Sequence, residues 1–187
     1  MFKKALLKAS KQLYEERAKE GLIAAIHPVP DNLIQKVLSS EALSIKKSDV
    51  IVDLGCGDGR WLIAAASLFE FTCTCIGLEL DSERLERSQT LISQYKSKNN
   101  TNINGIIELI QCNFLLPNFF DWKYVDIIIF FLSRDGTEKV KQTILNECLD
   151  GTRIVVIGFN FKTIHLQPID HFKMNGLGVW IYHWHKQ

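Results

Sequence analysis

From about residue 49 onward, apolar positions along this chain alternate between two rhythms, short unbroken runs and longer stretches spaced three or four residues apart. Asp49–Leu54 is a compact apolar run that ends at glycines, the signature of a buried strand. Arg60–Glu70, with Trp61, Leu62, Ala64, Ala65 and Leu68, has helical spacing. Thr74–Leu80 is strand-like and Ser82–Lys96 helical. The polar, Asn-rich stretch 96–105 reads as a surface loop. Gly105–Cys112 and Tyr124–Leu132 are strand candidates, and Glu138–Cys148 is a helix with Gly151 just beyond its end. Thr152–Phe159 is rich in β-branched residues, and Gly178–His185 forms a final strand. Ahead of this alternation, residues 2–20 have helical spacing through Leu6, Leu7, Leu13 and Tyr14. A proline-punctuated loop, Ile26–Asp31, follows, and Asp31 is placed to cap a helix from Asn32 to Ser39 or beyond.

The β-α-β order predicts an α/β fold: a doubly wound, Rossmann-like, mostly parallel sheet with helices on both faces. In such sheets a ligand sits at the carboxyl ends of the strands. No internal repeat or long linker interrupts the 187 residues.

Composition narrows the class only modestly. Hydrophobic residues at 47% and charged ones at 23% are ordinary for a globular protein. A net charge of +1 disfavours binding nucleic acid through bulk charge. No apolar run approaches the length of a membrane span. Five cysteines, an odd number without a C-x-x-C pair, read as buried free thiols in a reducing compartment. The expected location is cytoplasmic; the basic, mildly amphipathic Met1–Lys11 leaves a mitochondrial presequence as the alternative.

The chemistry concentrates at Val50-Ile-Val-Asp53-Leu-Gly55-Cys56-Gly57-Asp58-Gly59-Arg60. Glycines between a strand and a helix allow a tight turn and close approach of a ligand to the backbone. Glu79, at the end of the next strand, follows Gly59 by 20 residues and is placed to accept hydrogen bonds from ribose hydroxyls. The spacing is not the dinucleotide G-x-G-x-x-G, because Arg60 stands where the third glycine would be. Asp53 and Asp58 would repel a pyrophosphate but suit a ligand that carries an ammonium and a sulfonium.

Asp53-Leu-Gly-Cys-Gly-Asp-Gly59 resembles motif I of the class I S-adenosylmethionine-dependent methyltransferases, and Gly77-Leu-Glu79-Leu80 resembles their acidic second motif. Gln111-Cys-Asn113-Phe114 falls at their adenine-side motif, with Asn in place of the common Asp. The resemblance implies a seven-stranded sheet with an antiparallel last strand, and S-adenosyl-L-methionine as cofactor. It implies that Gly55, Cys56, Gly57 and Gly59 cradle the methionine portion and that Asp53 helps hold its ammonium. Glu79 would bind the ribose, Leu80 would pack on the adenine, and Asn113 and Phe114 would close that side. The flanks Pro28-Val29-Pro30, Gly55–Arg60, Phe159-Asn-Phe161 and Val179-Trp180-Ile-Tyr182 are similar to the Dot1-like branch. That branch includes the mitochondrial lysine methyltransferases of the ATP synthase c-subunit and the adenine nucleotide translocase. It implies a division into a helical extension with a cofactor-capping proline loop that includes Pro30, residues 1–40, and a class I methyltransferase domain, residues 41–187. The segment Phe131-Leu-Ser133-Arg134-Asp135 departs from that branch by lacking a proline that many relatives carry nearby.

The resemblance points to protein-lysine N-methylation, with a lysine side chain of a protein as partner and no nucleic acid. A small-molecule or RNA methyltransferase on the same scaffold is the alternative, and a cofactor-binding partner subunit without activity is another. Candidate catalytic polar groups are Ser133, Asp135 and Asn160, at predicted strand ends; candidate aromatic walls are Phe130, Phe131, Phe159, Phe161 and Trp180, more of them expected in the core than at the site. His171, His183 and His185 lack a convincing fourth partner, and no metal is expected.

Overall fold

The computed structural model describes residues 28–70, 72–99, 107–116, 120–161 and 167–185. The helix expected over 2–20 and the basic N-terminus lie outside them. Seven strands form one sheet: β1 Val50–Leu54, β2 Thr74–Glu79, β3 Ile107–Gln111, β4 Ile127–Phe130, β5 Arg153–Ile157, β6 Asp170–Met174 and β7 Leu177–His183. Their order across the sheet is β3-β2-β1-β4-β5-β7-β6. The first five pair in parallel, and β7 runs antiparallel to both β5 and β6. This is the doubly wound, mostly parallel sheet that the pattern predicts. Order reverses at β1, with β2 on one side and β4 on the other, so the ligand crevice belongs above the carboxyl end of β1.

The described helices are α1 Asp31–Leu38, α2 Arg60–Leu68, α3 Ser82–Asn99 and α4 Arg134–Glu147. On one face α1 and α2 press Leu33, Ile34, Val37, Trp61 and Leu62 onto Ile51, Ile127, Ile129, Val155 and Ile181. On the other, Val140 and Ile144 of α4 join Val52, Leu54, Ile128, Phe130 and Val156. The central strands are therefore apolar on both faces, which is why they read as continuous runs and not as alternations. α3 is mostly polar and buries only Leu85, Ser88 and Ile92, a narrow stripe against its neighbours.

Several boundaries differ from the sequence expectation. Asp31 is not the cap of α1: Pro30 takes that place, and its carbonyl accepts the Leu33 and Ile34 N–H groups at 3.0 and 3.1 Å. A proline there forfeits no needed donor and fixes φ. The stretch expected as a surface loop over 96–105 is helical through Asn99, and 100–105 lie outside the described residues. β4 starts at Ile127, since Trp122–Tyr124 form a short 3-10 turn. α4 begins four residues ahead of Glu138, at Arg134, capped by the Ser133 hydroxyl accepting Gly136 N–H at 3.0 Å. β6 escaped the apolar pattern, because Asp170-His-Phe-Lys-Met is a half-buried edge strand with alternating exposure.

At the amino ends of the strands, Arg153 Nη1 donates to the Leu43 and Ser44 carbonyls at 2.9 and 2.8 Å while Nη2 pairs with Asp49 at 2.9 Å. This buried fork ties β5 to the segment that leads into β1, on the side opposite the crevice. Among the described residues no helix is long and apolar enough to cross a membrane.

Candidate cofactor cleft

The loop after β1 is built from backbone that only glycine adopts freely. Gly55, Gly57 and Gly59 have φ of 75°, 58° and 75°. Gly55 and Cys56 donate their N–H groups to the Leu78 carbonyl of β2 at 2.8 and 3.1 Å. Gly77 makes the close approach possible: a Cβ there would meet Leu62 Cδ1 at 2.6 Å and Cys56 Sγ at 2.8 Å. Gly59 opens α2 and lies against Ser88 of α3, leaving no room for a side chain.

Glu79 is 2% exposed and is bound into this loop. Its Oε2 accepts Gly57 N–H at 3.0 Å, and Oε1 accepts Leu80 and Asp81 N–H at 2.9 and 3.1 Å. A carboxylate offers about four acceptor positions. Three are taken, so Oε2 keeps one open, and the bonds made hold the glycine turn in shape; Glu79 itself is not among the residues that line the cleft described below. That second task was not legible in the sequence, since it depends on β1 and β2 pairing in register, Asp53 beside Gly77.

Asp53 shares the face of β1 that looks toward the loop. It is 3% exposed, and its Oδ2 accepts no hydrogen bond from any described residue. Burial raises its carboxyl well above the usual range, and the negative charges of Glu79 and Asp58 raise it further. A buried acid without a partner is costly unless a cation completes it. Cys56, packed beneath, is pushed above the usual thiol range by burial and by the same acids, so it is an inert thiol.

A cleft of about 230 Å3 opens here, with Asp53, Gly55, Cys56 and Gly57 on its floor and Pro28, Val29, Trp61 and Phe131 among its walls. Arg60, Arg84 and Arg87 stand around it. Arg60 forks onto Asp58, Nε to Oδ1 at 2.9 Å and Nη2 to Oδ2 at 2.5 Å, and reaches the Val29 carbonyl at 3.3 Å. Burial alone would raise the Asp58 carboxyl, but the hydrogen bonds and charge of Arg60 outweigh it and hold it below the ordinary value. In the sequence Arg60 stands out as a missing glycine and as the end of the Gly55–Arg60 segment, but its tie to Val29 is not legible there.

Other expected site residues lie around this cleft but do not line it. Pro30 caps α1, next to the lining Val29. Gln111, at the end of β3, pairs with Glu79, and Gln111 Nε2 approaches the Leu80 carbonyl at 3.4 Å, which sets the segment leading to Asn113 and Phe114 beside Leu80. Asn113 Oδ1 accepts Leu115 N–H at 3.1 Å, shaping a turn while its amide nitrogen stays a donor. Phe114 is buried in the core beneath, with Leu54 and Leu78.

The acceptor-side candidates divide. Phe131 lines the cleft, and a Cβ on Gly158 would meet its ring at 2.7 Å. Phe130, Phe161 and Tyr182 form a core stack, with ring centres 6.0 and 5.4 Å apart. Phe159 lies under the Arg134 guanidinium, 4.9 Å from ring centre, and Trp180 is half-buried on the sheet face below α4. Ser133 is the α4 cap, Asp135 is exposed in the first turn of α4, and Asn160 is exposed; none of the three lines the cleft. Among the described residues no group of three or more His, Cys, Asp or Glu is arranged to hold a metal ion. All five cysteines are free.

A buried carboxylate whose Oδ2 accepts no hydrogen bond from any described residue, a glycine turn that brings backbone free of side chains to the cleft, and an acid at the end of β2 together fit a ligand with an ammonium at one end and a ribose at the other. Comparison with known proteins accords with this. The model of the ANTKMT methyltransferase domain matches residues 53–168. A protein-lysine N-methyltransferase of Saccharolobus islandicus (strain REY15A) is 27% identical over 135 residues, 72% of this chain and 76% of that protein. An RNA methyltransferase from Salinibacter ruber, solved with S-adenosyl-L-homocysteine, superposes with a TM-score of 0.73 at 19% identity, covering 86% of this chain and 95% of that one. A precorrin-6y C5,15-methyltransferase from Geobacter metallireducens GS-15 superposes at 0.61 with 15% identity, over 88% and 93%. At such identities these two structures share the fold.

Proposed function

The chain belongs to the ANTKMT methyltransferase domain family, an S-adenosylmethionine-dependent class, and on that premise we propose that it methylates the side-chain amine of a protein lysine. The observation that carries the choice of acceptor is the 27% identical protein-lysine N-methyltransferase, aligned across 72% of this chain. The RNA and precorrin enzymes resemble it in fold only.

The cofactor supplies an electrophilic methyl on a cationic sulfur, so the protein's part is to position, desolvate and hold charge. Asp53 Oδ2, buried and without a hydrogen-bond partner among the described residues, receives the cofactor ammonium. The Gly55–Gly59 turn lies under the methionine chain, and Glu79 Oε2 keeps one acceptor position for a ribose hydroxyl. Phe131, on the cleft wall, gives the incoming amine an apolar surface. Desolvation lowers an amine pKa and so raises the neutral, nucleophilic fraction of the lysine. Ser133 and Asp135, at the start of α4 just after β4, and Asn160, after β5, stand at the carboxyl ends of those strands, and one of them is our candidate to orient the amine as protein docks there.

The test is to incubate the protein with S-adenosylmethionine labelled in its methyl group and a cell extract, then treat portions with protease or nuclease. Label in macromolecules that protease releases and nuclease leaves is the expected outcome. Label lost to nuclease, or found only in small molecules, would overturn the lysine reading.

A further inference from the structure

The stretch Pro28–Asn32, which contributes Pro28 and Val29 to the cleft wall, is tethered on two sides. Toward the glycine loop, Arg60 Nη1 donates to the Val29 carbonyl at 3.3 Å and lies 3.5 Å from Asp31 Oδ1. Asp31 is 87% exposed, so that pair adds little, and the carbonyl contact is the one that fixes the chain. Toward the sheet edge, Asn32 Oδ1 accepts from Asn175 Nδ2 at 2.8 Å, in the turn between β6 and β7. One helical turn on, the Lys36 ammonium sits 4.3 Å above the Phe172 ring of β6. The guanidinium that makes the first tether is itself aimed by Asp58, which grips it through Nε and Nη2 and leaves Nη1 pointing at Val29. An arginine can do both at once because its donors form a rigid planar fork; a lysine ammonium cannot.

We propose that Arg60 is a positioning residue, aimed by Asp58, that holds Pro28–Asn32 against the glycine loop as the wall over the methionine end of the cofactor cleft. It acts through the Val29 backbone and takes no part in methyl transfer. This inference rests on the reading that the cleft binds S-adenosylmethionine, and the experiment separates the two.

The full chain is titrated with S-adenosylhomocysteine as wild type, Arg60→Ala, Arg60→Lys and Asp58→Asn, and amide hydrogen exchange is followed without ligand. Loss of a charge-assisted tether is expected to weaken binding by about tenfold in Arg60→Ala. Asp58→Asn moves in the same direction, because it leaves the arginine present but unaimed. Arg60→Lys recovers only part of the affinity. Exchange over 28–34 rises in the Arg60 variants while the central strands β1 and β4 stay protected. If Arg60 instead met the cofactor carboxylate directly, Asp58→Asn would free it and leave binding equal or tighter, and that result overturns the proposal. Wild-type affinity in Arg60→Ala overturns it as well. Should Arg60→Ala not fold, Arg60→Lys and Asp58→Asn give the same reading. No binding by the wild type would contradict the cofactor reading itself, and the positioning role with it.

Discussion

Asp53 carries a conflict between stability and function. Its carboxyl is held well above the normal range, first by burial and then by Glu79 and Asp58. The folded apo-protein therefore retains a proton that the unfolded chain gives up. Where that difference exists, stability falls as pH rises from the unfolded value through the folded one. Asp53→Asn removes the penalty, so the apo-variant is expected to melt higher than wild type near neutral pH, with the advantage vanishing in acid below the ordinary carboxylate range. Thermal melts of both proteins against pH check this; a neutral-pH variant no more stable than wild type would contradict the assigned burial. Completing the carboxylate with an ammonium requires the ionised form, so cofactor affinity rises with pH through the same titration. Asp58 behaves in the opposite way: its carboxyl is held low, so its pair with Arg60 stabilises the fold at and above the ordinary carboxylate range and is lost as acid protonates it.

Among the elements, the tightest constraint is where α2 and the glycine loop close down on β2. Gly77 leaves the space that Leu62, Cys56 and Leu109 occupy. Gly77→Ala must push back either the helix or the loop, at a cost of about 1–3 kcal/mol for overpacking a filled core. Because Cys56 is part of the loop, the same substitution should also weaken S-adenosylhomocysteine binding; a loss of stability with affinity unchanged would mean that the helix alone gives way. The core strands were legible because strands buried on both faces must be apolar throughout, as Ile127–Phe130 and Arg153–Ile157 nearly are. β6 was not, because an edge strand with one solvated face carries Asp170, His171 and Lys173. Ser133 reads as a candidate for chemistry in the sequence, and the structure adds that its hydroxyl caps α4, a second task that a hydroxyl at a strand end can always carry.

Across the whole molecule, the reversal of strand order at β1 decides where binding can occur, and the sequence already pointed there through Gly55–Gly59 and Glu79. What local pattern could not convey is convergence. Val29, Asp58 and Arg60 meet only because α1 and α2 pack on the same face of the sheet, and Asn32 meets Asn175 across 143 residues of sequence. On the acceptor side, Phe131 alone among the candidates lines the cleft, while Ser133, Asp135 and Asn160 stand outside its lining. The central claim is that this cleft binds the cofactor through the Asp53 carboxylate. Calorimetric titration of wild type and Asp53→Asn with S-adenosylhomocysteine at neutral pH tests it most directly. The account predicts one site in the wild type and an affinity weaker by about tenfold or more in the variant, as expected for losing a charge-assisted bond to an ammonium. Equal affinity in the two proteins would contradict it.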